Sequence, residues 1–226
     1  MKLQYQPRID RLHLLSDSLQ GKDLWQGNIL FTRSDFLASL QPPDVDINRK
    51  AQLYHVCGAS LGALLEKRNC HGIDFVRAAN ILFAELDHYA SREPAASAIH
   101  PSRLVRKEKG RKQVLSRLAA DYTALHLSHV PFIPSYLDAA VMLLELLEEV
   151  HLRVMHEFER LRGFAVETGV NPAIYDDSPQ VKEPLEKFDY KVRKLVISLQ
   201  RDVEAFARAK VYRELDVIMD SLAVFD

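Results

Sequence analysis

Apolar residues recur along this chain at the spacing of a helix face, and strand-like alternation is scarce. Ile9, Leu12, Leu15 and Leu19 predict a helix over residues 8–20, closed by Gly21. Ile29, Leu30, Phe36, Leu37 and Leu40 predict a second over 28–40, stopped by Pro42 and Pro43; "ILFTR" reads alternatively as a short strand. Asp46 is placed to cap a third over 47–68, with Ile47, Tyr54, Cys57, Leu61, Leu64 and Leu65 inward. Gly58 and Gly62, four apart on it, read either as room for another helix to come close or as two tolerated glycines. Phe75, Val76, Ala79, Leu82, Phe83, Leu86 and Tyr89 predict a fourth over 73–91.

The polar loop "SREPAASAIHPS" then separates two halves, and Val114, Leu115, Leu118, Tyr122 and Leu125 predict a helix over 113–127. Two long helices follow, over 135–166 and from Pro184 to 222, joined by "TGVNPAIYDDSPQ". At about 1.5 Å per residue they extend about 48 and about 57 Å. The fold expected is all-α: a bundle of about seven helices with a long antiparallel C-terminal pair. Residues 1–92 are expected to form an N-terminal helical cluster, 93–112 a loop and basic arm, and 113–226 a long-helix C-terminal bundle that makes one compact unit with the N-terminal cluster.

Tyr136, Ala140, Leu143, Leu147, Val150, Val154, Phe158 and Leu161 line one face of the first long helix. Leu185, Phe188, Val192, Leu195, Leu199, Val203 and Phe206 do so in the second. Beyond Ala207 this pattern changes. Lys210 and Glu214 fall where the stripe would continue, and Val211, Leu215, Ile218 and Leu222 start a new one turned by about 100°. Two outcomes are open: a break near 208–210 that folds the tail back onto the core, or an unbroken helix whose second stripe packs on another chain. In the second case Val211, Tyr212, Leu215, Ile218 and Leu222 bind the partner.

Composition narrows the class. The 226 residues are 47 % hydrophobic and 27 % charged with a net charge of −1, which fits a globular chain with no overall field toward nucleic acid or membrane. Two cysteines, Cys57 and Cys70, build no disulfide framework. No long uncharged apolar run predicts a membrane span, and "MKLQYQPRID" lacks the apolar core of a signal peptide. An intracellular protein, cytoplasmic or nuclear, is expected.

Candidate chemistry is thin. Glu85-Leu86-Asp87-His88 and Glu148-Glu149-Val150-His151 have the Glu-x-x-His spacing of di-iron bundle enzymes, which need four inward carboxylates from four helices. With Leu86 at the centre of its stripe, His88 lies about 160° away and faces out. With Leu147 at the centre, His151 lies at about 40° and Glu148 at about 100°. The positions level with the two motifs are Cys57 and Lys112, so the completing carboxylates are missing. The histidines follow no zinc-ligand spacing, and there is no glycine-rich phosphate loop or nucleophile elbow. No metal, cofactor, catalytic residue or small-molecule substrate is expected, and His151 reads as a core or interface histidine.

Arg103, Arg106, Lys107, Lys109, Arg111 and Lys112 stand against one acid, Glu108, with Gly110 among them. As an exposed arm they would bind phosphates or an acidic partner; the alternative is a solvated loop that balances acids elsewhere, such as those of "LLELLEE". No aromatic residue interleaves them, which disfavours single-strand binding. Residues 169–195, "GVNPAIYDDSPQVKEPLEKFDYKVRKL", faintly resemble a region of the helical RNA-processing cofactors of the neuroguidin type. The rest of the chain departs from that pattern and lacks its lysine-rich tails, so the resemblance assigns no family and only favours the nucleic-acid alternative.

The function expected is therefore non-enzymatic: a helical, coiled-coil-like adaptor or subunit of an intracellular protein complex. It would bind a different chain, or a second copy through one long helix. A nucleic-acid-associated protein using the basic arm is the first alternative, and a di-iron-type helical enzyme the second.

Overall fold

A computed structural model describes residues 2–39, 45–92, 122–127, 132, 134–167 and 178–223. These residues contain six helices: α1 Lys2–Leu19, α2 Arg33–Ser39, α3 Val45–Glu66, α4 Gly72–Arg92, α5 Tyr136–Glu167 and α6 Pro179–Ala223. Among the described residues there is no strand, and the one extended pairing is an isolated bridge between Trp25 and Ile29. The all-α class follows directly.

α5 is the central helix. α3, α1 and α4 pack against it, while α4 and α2 pack against α6. The sequence explains its position. Ala139, Leu143, Leu144, Leu147, Val150 and Met155 are all buried and span an arc of about 160° around the axis, too wide for a helix with one covered side. Gly58 of α3 meets this surface: a Cβ there would lie 2.5 Å from the Met142 ε-methyl. Arg153 reaches from α5 to the far end of α3, donating to the carbonyls of Leu65, Lys67 and Cys70 and stacking on Phe75. It thereby serves carbonyls at and beyond a helix C-terminus that lack intrahelical partners.

Several boundaries differ from the periodicity. α1 runs upstream through Pro7 to Lys2, because burying Tyr5 against His151 offsets the one backbone bond that Pro7 removes. The helix expected over 28–40 shrinks to α2. Gln26 and Gly27 take positive φ in a tight turn, and Thr32 and Asp35 make the reciprocal bonds of a capping box, which sets the start at Arg33. α6 begins at Pro179 rather than Pro184, with Ser178 accepting the first amide bonds.

The helix expected over 113–127 is corrected in its last six residues, 122–127, which are not helical; residues 113–121 lie outside the described residues. Glu85 of α4 accepts the backbone N–H groups of Thr123, Ala124 and Leu125 and the Thr123 hydroxyl, at 2.7–2.9 Å. One carboxylate thus satisfies the amides that a helix would have used. Tyr122 and Leu125 are still buried.

Candidate partner-binding helix face

α6 carries the site, and two polar side chains mark where its core face ends. Leu185, Phe188, Val192, Val196, Leu199, Val203, Phe206 and Ala207 are buried. The next position on that face is Lys210. Its Nζ donates to the carbonyl of Leu30 and to Asp35 Oδ2, both at 2.8 Å. Arg213, one turn on, donates to the Asp35 carbonyl. A lysine and an arginine occupy apolar-stripe positions because their partners are backbone oxygens and the Asp35 carboxylate beside α2, not a hydrophobic layer. Burial works to raise the Asp35 pKa, but the bonds from Lys210 and Thr32 outweigh it and hold the carboxyl below its ordinary range.

The helix does not break there. α6 is continuous from Pro179 to Ala223, so the outcome with a break near 208–210 and a folded-back tail is replaced by an unbroken helix. Every residue from Glu214 to Leu222 is exposed. Val211, Tyr212, Leu215, Ile218 and Leu222 are 40–65 % exposed. They lie together on one side of the last turns, about 100° round from the buried face. The stripe read from the sequence omits Met219 and Val217, which are 68 and 69 % exposed. Met219 was legible, because it falls four residues from Leu215 and seven from Tyr212. Val217 continues the first stripe and lines a shallow open recess with Asp35, Lys210, Arg213, Glu214 and Ile218.

The carboxylates and histidines of the two Glu-x-x-His motifs have other uses. Glu85 holds the 122–127 segment, and His88 meets the Tyr122 hydroxyl at 3.4 Å. Glu148 lies 3.5 Å from His13 of α1. His151 is buried between Tyr5 and Phe188, with Nδ1 2.6 Å from the Leu147 carbonyl. Burial pushes the His151 pKa down, against the Leu147 bond, which favours the charged ring. Among the described residues no three His, Cys, Asp or Glu side chains gather as a metal site. The basic positions Arg103, Arg106, Lys107, Lys109, Arg111 and Lys112 lie outside the described residues.

Sequence reading also missed a polar hub. Asp202 of α6 accepts from Lys50 at 2.5 Å and Tyr136 at 2.9 Å, with the Tyr54 hydroxyl at 3.5 Å. Burial is the main reason the Tyr54 pKa is pushed up to about 12, and it drives Tyr136 in the same direction. With both phenols neutral, the cluster ties α3, α5 and α6 together. Asp202 gave no warning in the pattern, since an aspartate between stripe residues Leu199 and Val203 reads as a solvated position.

No described helix is long and apolar enough to cross a membrane. No family model, curated protein or solved structure matches this chain.

Proposed function

We propose that this chain is a non-enzymatic adaptor or subunit of an intracellular protein complex, and that it binds its partner through the outer face of the last turns of α6. One observation carries the reading: an unbroken amphipathic helix extends past its last buried residue, Ala207, with its second apolar stripe exposed. A stretch of this kind is marginal on its own, because helices draw most of their stability from packing an apolar face. A partner helix or groove supplies that packing. Tyr, Met and branched aliphatic side chains are also the anchors that interface cores use.

In this reading α5 and α6 act as an antiparallel long-helix pair held apart by rings. Tyr136 with Phe206 and His151 with Phe188 support that sense, since the contacts occur in opposite order along the two helices. The pair forms a rigid base from which the end of α6 projects.

The test compares the full chain with Leu215→Asp/Ile218→Asp in co-purification from cells, with and without nuclease. Loss of a stoichiometric, nuclease-resistant partner is expected, with helicity lost at most from the last turns of α6. A partner retained by the double variant refutes the assigned face. Partners lost on nuclease treatment alone favour nucleic-acid association through the basic segment.

A further inference from the structure

We infer that the partner of the α6 tail is a second copy of the same chain, joined to the first by antiparallel pairing of the two tails; the inference rests on the complex-subunit reading. Arg208, Val211, Leu215, Ile218 and Leu222 follow alternating steps of three and four, the spacing of a coiled-coil seam. The apolar part, 211–215–218–222, is symmetric about its own centre. Turned end for end, it therefore matches itself: Val211 comes level with Leu222 of the second copy, and Leu215 with Ile218. Tyr212 and Met219 stand on the same flank of the seam and come within two residues of level with each other across it, about 3 Å along the axis, where a thioether meets an aromatic ring favourably.

The surrounding charges fit this sense and oppose the parallel one. Antiparallel pairing carries Arg208, whose side chain is 71 % exposed, to the C-terminal end of the other tail, where the helix dipole presents negative partial charge. Parallel pairing would set Arg208 against Arg208 and align the two helix dipoles. It would also bring both bundles to the same end of the joint, whereas the antiparallel joint keeps them at opposite ends. Arg213, Asp216 and Asp220 point away from the seam, so no like charges confront each other across it.

The exposed area reaches the low end of what a specific interface buries. From their fractional exposures, Val211, Tyr212, Leu215, Ile218, Met219 and Leu222 present roughly 600 Å² per copy, close to the about 800 Å² per partner of a standard specific interface. The seam is a convex helix rather than a groove, so its natural complement is another helix of the same length and pattern. A second copy supplies one without any further component.

Sedimentation equilibrium on the full chain at micromolar concentrations is the test. The wild type should sediment at twice the monomer mass. Leu215→Asp/Ile218→Asp should sediment at the monomer mass, with far-ultraviolet helicity lost at most from the last turns of α6. Orientation is read in a Cys70→Ser background. Val211→Cys mixed with Leu222→Cys should form a mixed disulfide dimer, and neither variant should do so alone. A dimer that survives the double substitution, or cross-linking of each cysteine variant with itself, overturns the proposal. Cooperative unfolding of the bundle in the double variant, beyond fraying of the last turns of α6, also overturns it, by showing the two residues to be core. A monomeric wild type whose tail still captures a different cellular protein, lost with Leu215→Asp/Ile218→Asp, sinks self-pairing and leaves the complex-subunit reading standing.

Discussion

Gly62 and Gly21 look alike in sequence but stand in opposite surroundings. A Cβ on Gly62, in the middle of α3, would lie 3.9 Å from Leu146 Cδ2 of α5, an ordinary van der Waals contact. Gly62→Ala is therefore predicted to stabilise the fold by about 0.5–1 kcal/mol, the gain for replacing a mid-helix glycine. Gly21 has φ +69°, and its Cβ would lie 2.5 Å from the Phe31 carbonyl oxygen. Gly21→Ala is predicted to cost at least about 1–2 kcal/mol, through a left-handed residue and a displaced turn. Chemical denaturation of both variants checks the opposite signs. His151 sets a pH response. Its charged neighbours Arg8 and Asp189 act in opposite directions, and burial dominates, so its folded-state pKa lies below the ordinary 6.5. The unfolded chain then binds the proton more readily. Stability from this group is complete above pH 6.5 and is lost as pH falls from there toward the folded pKa. His151→Phe should flatten that part of the stability profile, and equal slopes in both proteins would refute the assignment.

Among the elements, α6 shows how one helix serves two surfaces. Its core face ends on Lys210 and Arg213, which grip the turn before α2 and the Asp35 backbone, and its outer face begins at Val211. Lys210→Met keeps the apolar stem but removes bonds to Leu30 and Asp35, leaving a part-buried carboxylate without its lysine. It is predicted to destabilise by about 1–3 kcal/mol and to raise hydrogen exchange across residues 30–36 before the rest of the chain. Uniform exchange across all helices would count against this local role. The segment 122–127 teaches a related lesson. Its apolar spacing at Tyr122 and Leu125 fits a helix, yet Glu85 draws three of its amides into a bent path. A local propensity of a few tenths of a kcal/mol per residue yields to charge-assisted bonds of about 1.5–3 kcal/mol each.

At the scale of the molecule, burial is concentrated along α5, where α1, α3 and α4 converge and α6 closes the remaining side through rings. The far end of α6 has no such cover, and the proposed tail pairing would bury there what the bundle leaves open. What the sequence by itself determined is the all-α class, most helix positions and the stripe Val211, Leu215, Ile218 and Leu222, because a spacing near 3.6 residues is a local property that each segment carries alone. It also held signals that the stripes do not register, such as the capping box of Thr32 and Asp35 and the Ser178–Pro179 start of α6. Only the tertiary structure decided that α6 runs unbroken past 208–210, that Lys210 is satisfied by Leu30 and Asp35, that Glu85 binds amides and that Asp202 joins three helices. Those partners lie between 38 and 180 residues away along the chain, and a hydrogen bond across such a separation depends on how whole helices pack, which no window of neighbouring residues contains.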